Sequence, residues 1–204
     1  MSSEPPTLRP ARPVLDDGRS YAGYLDTAAE GFFRAMLGGQ VERIVAEAFL
    51  QTGHDLSHEH VTFAERDGRI VGMVSGYTAE EHAQSSDQVL VEAAGPARAA
   101  RMAILSVVGR PVLQFLEHVP EGDFYLQAVA VDDHQRGSGI GTMLIDHIEA
   151  RAKESGCSRL VLDVSADNDG ARRLYERLGM TVGAESPHPP LMPNMRAQRM
   201  VKPL

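Results

Sequence analysis

The stretch that decides the fold begins at residue 129 and reads Val129-Ala130-Val131-Asp132-Asp133-His134-Gln135-Arg136-Gly137-Ser138-Gly139-Ile140-Gly141. An apolar strand, predicted over 124–131, runs into three glycines that open a helix predicted over 140–154. Glycine lets the backbone approach an anion closely, and the first amides of a helix have no partner within it. The turn therefore indicates a phosphate site, with Arg136 as a further cationic contact. A bare turn of this kind can equally be a tight connection that binds nothing.

The segments around this turn alternate between strand and helix. A strand over 159–164 and a helix over 171–178 follow, and this order predicts two parallel strands joined by a crossover helix. Upstream, Asp67-Gly68 separates two apolar runs at 61–65 and 70–74, a pattern typical of an antiparallel hairpin. The pattern predicts an α/β fold with a mixed sheet.

A dinucleotide-binding fold is one alternative for the glycine turn. Asp163 lies at about the distance expected for the acid that binds a ribose. The third glycine of that fingerprint is replaced by Thr142, and only about 60 residues follow the turn. A doubly wound sheet is therefore disfavoured.

Two motifs together resemble the GNAT superfamily of N-acetyltransferases. Residues 136–141 match the family's acetyl-CoA motif, R/Q-x-x-G-x-G/A, and 168–180 are similar to its N-x-x-A-x-x-L-Y-x-x-x-G-F segment, with Met180 in place of Phe. The resemblance implies a GNAT-type mixed central sheet flanked by helices. It also implies an enzyme that transfers an acetyl group from acetyl-CoA, as co-substrate, directly to an amine acceptor, either a small molecule or a peptide.

The resemblance also implies site residues. The strands at 124–131 and 159–164 would separate to hold the pantetheine arm of CoA, Asn168 would contact that arm, and Tyr175 would protonate the departing thiolate. The oxyanion would lie near the backbone amides of Val129, Ala130 and Val131. The pyrophosphate would lie on the amides of Arg136, Gly137, Ser138, Gly139, Ile140 and Gly141.

Some of these roles have structural alternatives. Tyr175 could be an aromatic residue packed on an apolar helix face, and Asn168 could be a helix cap. The general base is not assigned, because the strand at 124–128 carries no carboxylate; Glu65, Glu121, Asp123 and a water chain are all candidates. A non-catalytic acyl-CoA-binding regulatory module therefore stays open as the second interpretation.

The remaining segments give the domain plan. Residues 1–13 carry four prolines and predict an extended N-terminal arm, whereas 14–204 predict one acetyltransferase domain. Ala29, Phe32, Phe33 and Met36 share one face of a first predicted helix. Thr27 and Glu30 suggest a capping box at its start. A helical insertion is predicted over 79–120. Its apolar residues point in several directions, which favours either a lid over the acceptor or a homodimer interface; these residues are Met102, Ile104, Leu105, Val107 and Val108.

Composition limits the possible partners. The 204 residues include 20 Lys and Arg against 28 Asp and Glu, a net charge of −8. This balance disfavours nucleic acid as a partner and mildly favours cationic small molecules. No apolar stretch approaches the ~20 residues of a membrane span, and the start of the chain lacks a secretory pattern, so a cytoplasmic location without membrane association is expected.

Cysteine and histidine usage bears on metal binding. The single cysteine, Cys157, excludes an internal disulfide and a multi-cysteine zinc site. Three histidines lie within 54–60, and the expected arrangement there is a solvated loop rather than a metal site. No metal is predicted.

Overall fold

The computed structural model describes residues 5–187 and 196–204, apart from a few side chains of one helix. The strands are β1 (Thr7–Pro10), β2 (Val61–Arg66), β3 (Arg69–Thr78), β4 (Asp123–Val131), β5 (Arg159–Ser165), β6 (Thr181–Glu185) and β7 (Ala197–Pro203). The helices are α1 (Leu15–Ala28), α2 (Phe32–Leu37), α3 (Val41–Phe49), α4 (Ala79–Ala83), α5 (Gln88–Ala94), α6 (Pro96–Val108), α7 (Arg110–Glu117), α8 (Ile140–Glu154) and α9 (Asp169–Arg177).

The strands form one mixed seven-stranded sheet in the order β1-β2-β3-β4-β5-β7-β6. Every neighbouring pair is antiparallel except β4 and β5, which are parallel and joined through α8. Helices cover both faces. One core lies between α1, α3 and the sheet around Phe63 and Met73, and the other lies between α8 and the opposite face around Val74 and Leu126. The predicted mixed sheet flanked by helices is confirmed.

The N-terminal segment is part of the sheet. Residues 7–10 are extended, as the prolines predict, but they pair antiparallel with β2 as an edge strand. Asp17 anchors this strand to α1, since its buried carboxylate accepts hydrogen bonds from Arg9 Nη1 at 2.7 Å and Arg12 Nη2 at 2.9 Å. Burial alone would raise the pKa of Asp17, but the hydrogen bonds from both arginines outweigh it and hold that pKa well below its ordinary value.

The chain contains a helix before residue 29 that the sequence analysis does not predict. α1 starts at Leu15, and the expected capping box at Thr27 is wrong, because Thr27 Oγ1 donates to Gly23 O at 2.9 Å within α1. The break comes after Ala28, where Glu30 (φ 52°) and Gly31 (φ 81°) both take left-handed conformations. The apolar pattern from Ala29 to Met36 therefore spans a turn and a second short helix.

The hairpin is confirmed. β2 and β3 pair antiparallel around Asp67 (φ 51°) and Gly68 (φ 72°). Two consecutive positive φ angles suit a two-residue turn whose twist matches that of the flanking strands.

Residues between β3 and β4 fold into α4–α7. Thr78 and Glu81 form a reciprocal cap at the start of α4: Glu81 N donates to Thr78 Oγ1 at 3.1 Å, and Thr78 N donates to Glu81 Oε2 at 2.7 Å. In α6, Met102 packs against the first core, whereas Val107 is 74% exposed. The side chains of Ile104, Leu105 and Val108 lie outside the described residues, so a lid or homodimer interface stays a prediction.

The histidine segment is not a solvated loop, and that expectation is wrong. His54 and His60 are 4% and 8% exposed. His54 Nε2 lies 3.0 Å from Ala48 O, and the ring of His60 meets Tyr77 edge-on. The segment is drawn inward because these rings close the gap between the end of α3 and the sheet. Within residues 5–187 and 196–204, no group of His, Cys, Asp and Glu side chains converges as metal ligands would. No helix among those residues is long and apolar enough to cross a membrane.

Candidate active site

The sheet opens between β4 and β5. These strands pair at three positions only, the last being Tyr125 with Val161, although β4 continues to Val131 and β5 to Ser165. Beyond that pair, each strand keeps its other neighbour and leaves one backbone edge free. The opening is a slot in the middle of the sheet, lined by unpaired amide and carbonyl groups.

A bulge in β4 marks the start of the slot. Ser75 pairs with Ala128 and Gly76 pairs with Leu126, so Gln127 has no partner in β3. Gly76 is required there, because a Cβ at this position would lie 2.6 Å from the Tyr125 carbonyl oxygen. The Gln127 side chain is fixed by two hydroxyls: Tyr21 donates to its Oε1 at 3.1 Å and Ser75 Oγ donates to it at 2.9 Å.

The glycine-rich turn lies at the other end of β4. Gly137 (φ 77°) and Gly139 (φ 86°) take conformations that side chains rarely adopt, and the first intrahelical bond of α8 runs from Met143 N to Gly139 O. The amides of Gly137 and Gly139, and those of residues 140–142, find no acceptor among the described residues. Arg136 lies beside them in an exposed ion pair with Asp133 at 2.7 Å. The arrangement can bind an anion, because several free donors meet the positive end of a helix dipole.

Asn168 is the helix cap of α9. Its Oδ1 accepts a hydrogen bond from Ala171 N at 2.9 Å, and its Nδ2 donates to Glu30 Oε1 at 2.5 Å. This second contact joins the loop after β5 to the loop after α1. The cap alternative raised from the sequence is therefore realised, and contact with a bound pantetheine arm stays a prediction.

Tyr175 lies on α9 and packs against the core beneath α8. Its hydroxyl has no hydrogen-bond partner within the described part of the chain, and burial raises the pKa of Tyr175 to about 12. The phenol therefore keeps its proton at neutral pH and is a potential donor.

Two of the carboxylates considered as a general base are held in ion pairs. Glu65 Oε2 accepts from Arg9 Nε at 2.6 Å, and the buried Asp123 accepts from Arg159 Nε at 2.7 Å and Nη2 at 2.8 Å. Asp123 is also the first residue of β4, at the closed end of the strand pair. Glu121 is exposed in the preceding turn. The structure brings none of the three to the free edges of the slot.

Comparison with known proteins identifies the fold. The model of the acetyltransferase (GNAT) family matches residues 25–180, more than half of the chain. The chain belongs to this family.

The chain is similar to acetyltransferases with different names. The 5-NmdU N-acetyltransferase of Pseudomonas phage PaMx11 is 39% identical over 70 residues, which are 34% of this chain and 48% of that protein. The mycothiol acetyltransferase of Corynebacterium aurimucosum is 39% identical over 64 residues, 31% of this chain and 20% of that protein. The matches thus span about half or less of these relatives. An N-acetyltransferase structure from Staphylococcus aureus Mu50 shares the fold, with a TM-score of 0.72, 15% identity and coverage of 96% of this chain and 100% of that one.

Sequence reasoning missed the residues that surround the GNAT slot on the face of α1. Tyr21 and Ser75, which hold Gln127, come from an unpredicted helix and from β3. A second group joins Tyr125, whose hydroxyl donates to Asp163 Oδ2 at 3.1 Å, to Arg199, which donates to the same carboxylate at 2.7 Å and 3.0 Å. The only signal in the sequence is polar residues within otherwise apolar strands.

A cavity of about 690 Å³ lies beside the slot, between α7 and the β5-β7-β6 part of the sheet. Phe115, Val161 and Val201 give it apolar walls, and Arg199 forms a polar edge. Arg199 also donates to Phe115 O at 2.8 Å and to His118 O, which fixes the end of α7 over the sheet. Because Val161 belongs to the last pair before the strands part, the cavity reaches the base of the slot.

Proposed function

We propose that this GNAT-family chain transfers the acetyl group of acetyl-CoA directly to the nitrogen of an amine acceptor. The observation that carries the proposal is the slot between β4 and β5, which leads from the β4 bulge to a glycine turn with unpartnered amides. An extended pantetheine arm can pair with free strand edges, and a pyrophosphate suits the start of α8. The amides of residues 129–131 and 136–141 are the proposed contacts.

The reaction balances with the residues at hand. The neutral amine nitrogen attacks the thioester carbonyl, a C–N bond forms, and the C–S bond breaks. The thiolate takes a proton from Tyr175, the proton lost by the amine passes to solvent, and the Tyr175 phenolate then regains a proton from solvent. Tyr175 is supported by its place in the motif and by its protonated phenol. No carboxylate base is assigned, so a water chain is the proposed route for the amine proton.

The acceptor is a small-molecule or peptide amine rather than nucleic acid. The two relatives have the names of different acetyltransferases, and their similarity covers only about a third of this chain. That similarity supports acetyl transfer without identifying the amine. The net charge of −8 favours a cationic acceptor.

Acetyl-CoA binding provides the first test. At a concentration ~100 times its Kd, acetyl-CoA should stabilise the fold by ~2.7 kcal/mol. For a protein of ~150–250 residues this raises the melting temperature by roughly 5–11 °C. The thermal shift should be absent with NADH; the reverse pattern contradicts the proposal.

Gly141→Glu sharpens this test. A Cβ at Gly141 meets only Val131 Cγ2, at 3.8 Å, so the fold accommodates a side chain there. A carboxylate in the first turn of α8 is stabilised by the helix dipole. The same charge repels a pyrophosphate. We expect unchanged or slightly higher intrinsic stability together with a lost acetyl-CoA shift. Gly23→Glu, at an open helical position in α1, is the control that should retain the shift.

A non-catalytic acyl-CoA-binding module is the second candidate. It is favoured by one observation: Glu65 and Asp123 are neutralised by arginines. A panel of amines assayed for release of free CoA thiol separates the two. Turnover with any amine supports the transferase, whereas a thermal shift without turnover across the panel supports the binding module.

A further inference from the structure

In the side chain of Gln127 the amide oxygen accepts hydrogen bonds, whereas the amide nitrogen has no hydrogen-bond partner among the described residues. Oε1 accepts hydrogen bonds from Tyr21 and Ser75, which are both fully buried. A carbonyl oxygen has two lone pairs, so Oε1 can accept from both hydroxyls at once. The amide group Nε2 is left with two N–H donors and no partner in the same part of the chain.

The position of Gln127 places this donor at the start of the slot. The residue lies two positions beyond Tyr125, the last β4 residue that pairs with β5. It is also the bulged residue, so its backbone is displaced from the regular ladder. From Val131, next to the glycine turn, back to Gln127 the strand covers four residues, or about 13 Å at ~3.3 Å per residue. This is comparable to the reach of a pantetheine arm whose pyrophosphate lies on that turn.

We propose that Gln127 Nε2 donates a hydrogen bond to the thioester carbonyl oxygen of bound acetyl-CoA. The inference rests on the proposed acetyl transfer and adds a side-chain donor to the backbone amides of β4. A neutral donor stabilises the negative charge that develops on that oxygen when the amine attacks. The amide cannot accept a proton, so this position polarises the carbonyl and does not act as a base. Tyr21 and Ser75 are positioning residues, since they fix the amide orientation.

The experiment uses acetyl-CoA labelled with ¹³C at the carbonyl, together with wild-type protein and Gln127→Glu. The glutamate keeps an oxygen for Tyr21 and Ser75 but replaces the N–H donors by a second oxygen. Isotope-edited infrared spectroscopy should show a lower carbonyl frequency in the wild-type complex than in the variant, because a hydrogen bond weakens the C=O bond. With an amine acceptor, kcat should fall about 10²–10³-fold, with little change in the KM for acetyl-CoA.

Control variants separate this role from packing. Gln51→Glu makes the same change at an exposed position after α3, away from the slot, so its carbonyl band should stay at the wild-type position. If Gln127→Glu does not fold, as judged by circular dichroism, Tyr21→Phe replaces it and should move the band partway toward the position of free acetyl-CoA.

Three outcomes would overturn the inference. Acetyl-CoA bound with the same carbonyl frequency and turnover in wild type and Gln127→Glu shows that the amide does not touch the carbonyl. A faster Gln127→Glu shows that the position serves a base. Absence of acetyl-CoA binding to wild type removes the proposed function itself, and with it this inference.

Discussion

At the scale of single residues, His54 has a fixed neutral form. Its Nε2 lies 3.0 Å from the Ala48 carbonyl, which can only accept, and its Nδ1 accepts from Leu56 N at 3.2 Å. Protonation at Nδ1 would break the second bond. Burial lowers the pKa of His54, and the hydrogen bond with the Ala48 backbone and the carboxylates of Asp55 and Glu59 oppose this only in part.

The pH dependence of stability follows from this pKa. The unfolded histidine titrates near 6.5 and the folded one below it, so the unfolded state binds more protons under pH 6.5. The free energy of unfolding should therefore be highest above about pH 6.5. It should decrease as the pH falls, by up to about 1.4 kcal/mol per pH unit for each such histidine. His60 and His147, whose pKa values burial also lowers, contribute with the same sign.

Urea unfolding between pH 7.5 and 5.5 measures this slope. His54→Asn should flatten it in part, whatever its effect on absolute stability, whereas His134→Asn, at an exposed position before the glycine turn, should leave it unchanged. Equal slopes in all three proteins contradict the assignment of His54.

A substitution at Tyr175 can distinguish an effect on catalysis from an effect on folding. Its hydroxyl makes no hydrogen bond within the described chain, and its ring packs on the core. Tyr175→Phe should therefore keep the melting temperature and the CoA affinity while lowering kcat by ~10²–10⁴-fold, because only the proposed proton donation to the thiolate is lost. Single-turnover kinetics gives the value for the chemical step. An unchanged rate would make Tyr175 a packing residue.

At the scale of elements, Asp17 joins β1 to α1. Asp17→Ala removes the contacts with both arginines and with Arg12 N, and should cost about 1.5–3 kcal/mol in the free energy of unfolding. Hydrogen exchange at the β1–β2 ladder should increase as the edge strand is released.

Asp16→Ala is the matched control for that variant. Asp16 is the preceding residue, but its side chain is 89% exposed and pairs only with the exposed Arg19. Such pairs contribute ~0–1 kcal/mol. Equal destabilisation by the two variants would show that Asp17 does not anchor the strand.

The predictability of an element depended on what its buried face contains. α8 begins at Ile140 and ends at Glu154, as the sequence predicts, because its buried positions are apolar. α1 was missed because its buried face includes Asp17, Gly18 and Asp26. Gly18 is buried where α1 crosses α3 closely. A side chain would not fit there, because a Cβ would lie 3.0 Å from Ala46 O. Such an approach is a tertiary constraint that apolar spacing does not encode.

At the scale of the whole molecule, the same distinction applies to the site. The glycine turn and Asn168 are local, so motif spacing located them. The group of Tyr21, Ser75 and Gln127 comes from three elements, and Gln127 lies 106 positions after Tyr21 and 52 positions after Ser75. Only the sheet register and the crossing of α1 bring them together, and the bulge that turns Gln127 inward depends on a strand pairing that one sequence does not reveal.

The three residue pairs between β4 and β5 also have a mechanical meaning. They join a β1–β4 plate to a β5-β7-β6 plate, and the Asp123–Arg159 ion pair lies at the same closed end. A sheet that is hydrogen-bonded at one end only is expected to resist torsion less than a fully paired one, and α8, which packs against both β4 and β5, is a further connection between the two plates. We expect a molecule that fills the slot and pairs with both free edges to stiffen the protein.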